Sequence, residues 1–275
     1  MTMIQQAILN FPKSHDGFLW RHQGSPHLIA PHVHDELELN LVVRGRGLYI
    51  IEGERVEMRP FQLLWLMPKD AHLLLEADRD FEMWIGVFRC QRWRKLLQGS
   101  DYSPLLLKSS REVLSANLPY AEGEWLQQLC ERLVPDREDS ALFNSGVRYL
   151  MLKSWRLCQE FQQKQQANPE RQRAMVHPAV FKALLLLEQE PGLHDRDAIA
   201  AQAGLSPSRL SVLFARETGQ TLTEYRHRKC LQRFFHLRER NRYRTLLDLA
   251  LDAGFGSYTQ FYRVYRRETG ERPGE

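Results

Sequence analysis

The sequence predicts an α+β chain: a β-rich N-terminal part, a helical segment after it, and an all-α C-terminal domain. Three observations carry this reading. Short apolar pieces separated by Gly, Pro and charged turns run from residue 18 to about 88. After Ser100 apolar residues recur at helical spacing instead. In the C-terminal third one helical pattern occurs twice. The composition agrees, since 275 residues with 43% hydrophobic and 26% charged side chains suit two folded domains and exclude disorder or collagen-like order. No apolar run approaches the ~20 residues of a membrane span. Asn10, Lys13, His15 and Asp16 lie where a signal peptide needs unbroken apolar sequence. A cytoplasmic protein without membrane contact is expected. Cys90, Cys130, Cys158 and Cys230 stand at neither metal-ligand nor redox spacing and read as reduced core residues.

In the β-rich part, strands are expected near residues 38–43, 48–52 and 61–67, in a sheet closed as a barrel or folded as a sandwich. Its most loaded motif is Pro31-His32-x-His34-x-x-x-Glu38, followed by Pro68-x-x-x-His72. Strand parity puts His32, His34 and Glu38 on one face, with Asn40 after them. Leu37, Leu39 and Leu41 alternate with them, so the polar set faces the interior. A hairpin return brings His72 beside it. Three imidazoles and a carboxylate suit a divalent Zn, Fe, Ni or Mn ion. They equally suit an effector pocket that uses them as hydrogen-bonding groups without metal, and reversible sensing favours that use. Trp20, His22, Trp65 and Trp84 are further interior candidates for stacking on a ligand, although core packing is the commoner use of Trp. Arg44 and Arg46 flank Gly45 in a turn and read as solvated charge.

Helices are expected at 125–134 and 140–163. In the second, Phe143, Val147, Leu150, Leu157 and Phe161 form a stripe with Ser154 in its remaining slot. Such a stripe needs a neighbouring helix or a second subunit. The Gln-rich residues 162–173 have little to bury and read as a linker. The expected domains are 1–100 (β-rich barrel), 101–164 (helical segment), 165–176 (linker) and 177–275 (all-α domain). Net charge is −1 over residues 1–169 and +5 over 170–275, so the C-terminal third carries the basic excess.

The repeat is specific. Ile199, Ala200, Ala203 and Gly204 recur as Leu249, Ala250, Ala253 and Gly254, and Ser206, Leu210, Phe214, Arg216, Glu217 and Gly219 as Ser257, Phe261, Tyr265, Arg267, Glu268 and Gly270. Each copy has the grammar of a helix-turn-helix unit. An Ala admits a close second helix, a Gly ends the first, and Leu205 or Phe255 plugs the turn. Ser206-Pro207 reads as an N-cap with Pro at N1, and Thr245 with Asp248 as a capping pattern. Between the copies, a helix over 222–239 would be roughly 27 Å long. That length suits a spacer between recognition helices entering successive major-groove segments ~34 Å apart. Over residues 226–244, Arg226, Arg228, Lys229, Arg233, Arg238, Arg240, Arg242 and Arg244 stand against the single acid Glu239, as phosphate contacts would.

Ala200-x-x-x-Gly204-Leu205-Ser206-Pro207-Ser208-Arg209-Leu210 and Phe214-x-x-Glu217-Thr218-Gly219, with the second copy from Ala250 to Arg266, resemble the double helix-turn-helix domain of AraC/XylS-type transcription regulators. The likeness covers the C-terminal third. Leu222, Cys230 and Phe234 depart from the family pattern, which has Pro at the first position and Arg and Ala in the connecting helix. By position, the resemblance implies base-facing Ser208, Arg209, Ser211 and Val212 in the first recognition helix and Thr259, Gln260, Tyr262 and Arg263 in the second. Of these, Arg209 and Arg263 can pair bidentately with guanine and Gln260 with adenine. Arg216, Arg266 and Arg267 fit phosphates better. The His/Glu motif resembles the cupin barrel, which such regulators commonly carry as a sensor. Asp70 and Glu76 depart from the metal-binding cupin pattern.

The expected protein is therefore a regulator that binds double-stranded DNA, answers a small-molecule effector and forms a homodimer. A cupin metalloenzyme (dioxygenase or isomerase), a metal-responsive regulator and an architectural DNA-binding protein are the alternatives. The repeat disfavours the enzyme, because catalysis needs no pair of helix-turn-helix units, and the β-rich part disfavours the architectural protein.

Overall fold

The computed structural model describes residues 5–24, 32–109, 113–166, 175–189, 191–192, 195–241 and 243–274. Most of the expected linker, Pro31 of the His motif and Arg242 lie outside these. In chain order the elements are β1 (Gln5–Gln6), β2 (Gly17–Gln23), β3 (His32–Val33), β4 (Leu37–Arg44), β5 (Gly47–Ile51), β6 (Glu54–Met58), β7 (Gln62–Leu66), β8 (His72–Ala77), β9 (Glu82–Phe88), α1 (Arg94–Leu97), β10 (Leu114–Asn117), α2 (Tyr120–Leu133) and α3 (Ser140–Gln166), and then α4 (Pro178–Gln189), α5 (Arg196–Ala203), α6 (Pro207–Thr218), α7 (Leu222–Arg240), α8 (Leu246–Ala253) and α9 (Tyr258–Thr269). They fall into two compact units, one holding β2 and His32–Met175, the other Val176–Glu275.

The strands of the first unit form two five-stranded sheets, ordered β1-β3-β8-β5-β6 and β10-β7-β4-β9-β2. Among the described residues the barrel is not closed, and no ladder joins the two sheets into one. One cluster fills the space between them, with Val42, Leu64, Leu66, Met83, Ile85 and Val87 from the second sheet meeting Tyr49, Ile51, Val56 and Met58 from the first. β4 lies at the centre of its sheet and is buried on both faces from Leu37 to Val42. Its alternation still matters, because Leu37, Leu39 and Leu41 pack outward against the helices while Glu38 and Asn40 face the other sheet.

The outer face of that second sheet takes up the stripe of α3. Phe143, Val147 and Leu150 have no exposed surface and Leu157 only 3%, and all four share one cluster with Leu37, Leu39 and Leu41. Phe161 is packed at its edge, and the buried Ser154 donates its hydroxyl to Leu150 O at 2.6 Å. Four of the five apolar residues of the stripe are thus buried within the chain, against the sheet. Trp65 and Trp84 belong to the same cluster, so they face the helices and not the space between the sheets. Trp20 is the one Trp packed at the inter-sheet cluster. α2 starts five residues earlier than expected, directly after Pro119, and its buried Gly123 leaves room for Phe61, whose Cβ would be 2.6 Å from a Cβ there.

In the second unit each copy repeats its turn bond for bond. Leu205 N–H donates to Ala200 O at 3.0 Å and Phe255 N–H to Ala250 O at 3.1 Å, after Gly204 and Gly254 in the left-handed region at φ 74° and 104°. Ser206 and Ser257 cap α6 and α9, and Asp195 and Thr245 cap α5 and α8. The connecting helix is more than a spacer. Tyr225 packs on Phe214 of the first copy (ring centroids 5.5 Å apart) and Phe234 on Phe261 of the second (4.4 Å). Leu222, Cys230 and Phe234, the departures from the family pattern, are all buried in it. α7 is a spine shared by both copies of the repeat.

The four cysteines are free and buried. Burial pushes Cys90, Cys130 and Cys158 up to about 12 and Cys230 to about 11, so none is a thiolate at neutral pH.

Candidate functional site

The histidine cluster is built by strand register. β3 pairs with β8 so that His32 lies opposite His72, and their ring centroids are 4.3 Å apart. His34 stands 5.1 Å from His72 and 5.7 Å from His32. The Nδ1–H groups of His34 and His72 donate to Glu36 O (2.9 Å) and Asp70 O (2.8 Å), which directs both Nε2 atoms into the cluster. There His34 Nε2 lies 2.9 Å from Glu38 Oε2, while Asn40 donates to Glu38 Oε1 at 2.8 Å.

Burial opposes charge on both partners, yet the hydrogen bond and attraction between them win. His34 is raised above its ordinary pKa and Glu38 is lowered to about 2, each favoured by the other beside it. Burial pulls His72 down to about 4 in spite of Glu38, and it stays neutral. Its Nε2, 3.9 Å from Glu38 Oε2, is buried without a hydrogen-bond partner, as is Asn40 Oδ1. The nearby Tyr49 donates its hydroxyl to Met83 Sδ at 3.8 Å; burial and the Glu38 charge hold its pKa well above the usual value.

This donor set fits a divalent transition metal. One ligand atom each from His32, His34 and His72 lies within 4.8 Å of the others. Ligands around an ion bound at ~2.0–2.2 Å are roughly 3.5 Å apart, so small rotations close the gap. The neutral, inward lone pair of His72 is the arrangement a ligand needs. The Asp70 carboxylate accepts from Met67 N–H (3.1 Å) and Ser109 Oγ (2.6 Å) and so fastens the turn before β8.

On the second unit, Ser208, Arg209 and Val212 are exposed along α6, as are Thr259, Arg263 and Arg266 along α9. Val212 is 69% exposed, unusual for an apolar side chain without an assigned contact. Ser211 is half-buried and returns its hydroxyl to Pro207 O at 2.7 Å, and Tyr262 is half-buried. Arg216 and Arg267, at equivalent positions of the repeat, pair with Glu217 (2.9 Å) and Glu268 (2.7 Å). Gln260 is half-buried and both ends of its amide have partners within the protein. Its Oε1 accepts from Gly256 N–H and its Nε2 donates to His227 Nε2, both at 2.9 Å.

Part of the basic run on α7 and in the turn after it is also committed inside the protein. Arg226 donates to Pro191 O and Gly254 O, Arg228 bonds Gln220, Lys229 is buried against Tyr225, and Arg244 pairs with Asp252. Arg233 and Arg240 remain exposed and Arg238 half-exposed. The sequence offered no sign of the Arg226 and His227 contacts, because their partners lie 28 to 35 residues away. Tyr49 had a signal in the alternation of β5, while Asn40 stands where strand parity put it.

Residues 14–166 match the family model described as an AraC-like ligand binding domain, and residues 199–275 match a helix-turn-helix domain. The chain is 22% identical over 244 residues to an uncharacterized helix-turn-helix-type transcriptional regulator, YpdC, of Escherichia coli, covering 86% of this chain and 80% of that protein. It is 38% identical over 80 residues to the regulatory protein SoxS of Salmonella typhimurium, covering 29% of this chain and 73% of SoxS. Among solved structures, ToxT of Vibrio cholerae aligns over 94% of this chain and 95% of its own, at 12% identity and a TM-score of 0.38. With the ligand-binding match spanning more than half of the chain and the helix-turn-helix match following it, the chain belongs to the AraC-type family of DNA-binding transcription regulators.

Proposed function

We propose that the chain regulates transcription in the cytoplasm in answer to a small molecule held between the two sheets by His32, His34, Glu38 and His72, with Asn40 and Tyr49 completing the pocket. The observation that carries this is the buried pair of unsatisfied atoms, His72 Nε2 and Asn40 Oδ1, at the end of an ion pair, inside the part of the chain matched as a ligand-binding domain. A polar set left incomplete in a protein interior is completed by something that binds there. On the other unit, Arg209 and Arg263 read guanine, Ser208, Val212, Thr259 and Tyr262 face bases, and Arg266 with the movable Arg216 and Arg267 meets phosphates. Gln260 and Ser211 act as scaffold. A homodimer would use the outer face of α2 and α3, where Trp125, Leu142 and Tyr149 are exposed.

Arg263→Ala is expected to cost ~1–3 kcal/mol at one base position, whereas Arg238→Ala weakens binding to every sequence alike. Competition assays against specific and random duplexes separate the two, and equal losses for both variants would contradict the assignment.

The free lone pair of His72 favours a second reading, in which the pocket holds a transition metal through His32, His34, His72 and Glu38, so that effector sensing is metal sensing or metal-assisted binding. The metal would supply Lewis acidity to a bound oxygen or nitrogen donor. Elemental analysis of the purified protein decides between them. One equivalent of Zn, Fe, Ni or Mn that resists dialysis and is lost in His72→Ala establishes the metal site. No metal, with His72→Ala keeping basal DNA affinity but losing the effector response, establishes the metal-free pocket.

A further inference from the structure

Two turns of the DNA-reading unit touch backbone to backbone. The Pro191–Gly192 turn lies against Gly254 at the end of α8, where a Cβ on Gly192 would be 2.5 Å from Gly254 Cα and a Cβ on Gly254 would be 2.2 Å from Gly192 Cα. Only glycine fits at either place, and Gly254 also needs its φ of 104°. Arg226, on the shared α7, clasps both turns. Its Nε–H donates to Pro191 O at 2.9 Å and its second guanidinium arm to Gly254 O at 3.3 Å. One helical turn later the buried Cys230 donates to Pro191 O at 3.7 Å. Beside Arg226, His227 accepts from Gln260 of the recognition helix α9. Burial first, and then Arg226 and Arg267, lower the pKa of His227, which keeps it a neutral acceptor.

These contacts tie the first helix-turn-helix unit to the turn and first residues of the second recognition helix. Arg226 spends both donating edges on carbonyls inside the protein, which leaves it poorly disposed to meet a phosphate. We propose that the two units engage DNA as one rigid body, and that the Arg226 clasp on Pro191 and Gly254 sets the spacing between half-sites that the protein accepts. Arg226 is then a positioning residue for specificity. Each base pair inserted between half-sites moves them apart by ~3.4 Å and turns them by about a tenth of a helical turn, which a clasped pair of helices does not follow. This rests on the DNA-reading function above.

The test starts from a two-part site obtained by in vitro selection with the full chain. Affinity is then measured on duplexes with zero, one or two base pairs added between the half-sites, and on a single half-site. The wild type should lose roughly tenfold or more per step. Arg226→Lys keeps the charge but cannot span both carbonyls, and should flatten this profile while leaving single half-site affinity unchanged. Gly192→Ala, a wedge between the turns that leaves Arg226 in place, should shift or flatten the profile in the same way. A wild-type profile in both variants overturns the proposal. So does an equal loss on every duplex, the half-site included, which would mark Arg226 as a charge contact. Failure of the full chain to select any sequence would instead strike at the DNA-reading function itself.

Discussion

Leu150→Glu is expected to unfold the N-terminal unit and not to convert a dimer into monomers. Leu150 has no exposed surface and sits in the middle of the cluster that joins α3 to the outer face of the β4 sheet. The substitution removes a buried leucine, worth ~2–5 kcal/mol, and adds a carboxylate with no partner in that cluster. Against a typical domain stability of about 5–15 kcal/mol, that loss leaves little folded protein. Circular dichroism and thermal unfolding should show the first unit gone at ordinary temperatures. A variant that keeps its wild-type melting temperature while halving its mass in solution would show that Leu150 faces a second subunit after all. Tyr149→Glu, on the exposed face of the same helix, is the matched variant that should fold normally.

Phe261→Ala should have a comparable effect on the other unit. Phe261 is fully buried among Phe234 (4.4 Å between centroids), Phe255 (5.4 Å) and Tyr265 (5.6 Å), where one ring fastens α7, the turn and α9 together. Its removal costs ~3–5 kcal/mol, because the surrounding rings cannot all collapse into the space. Sequence-specific DNA binding should disappear with the packing of α9, while the first unit keeps its own melting transition. A shift of the reading unit's Tm by no more than a degree or two would mean that this aromatic cluster does not hold the second helix-turn-helix unit.

The features legible in the sequence were those decided by local chemistry. Gly204 and Gly254 end helices because φ near 74° and 104° is open to glycine, and Ser206 and Ser257 begin them by accepting backbone N–H groups, so both copies of the motif could be read residue by residue. Strand parity likewise gathered His32, His34, Glu38 and Asn40. What the sequence did not disclose depends on partners far along the chain. The α3 stripe was plainly apolar, but its helical spacing does not say that a sheet lies beneath it. Trp65 and Trp84 point at helices because the β4 sheet is covered on both sides, which alternation within one strand cannot reveal. Gln260 and Arg226 looked like DNA contacts until His227, Pro191 and Gly254 were found beside them. A polar side chain on a helix surface carries no local mark of whether its hydrogen bonds are already made.

Hydroxyl-radical footprinting of the full chain on a duplex it has selected tests most directly whether two helix-turn-helix units, built on one spine, read DNA together. The account predicts two protected segments on one face of the duplex, about one helical turn (~10 base pairs) apart. A single protected segment, or protection spread evenly without regard to sequence, would contradict it.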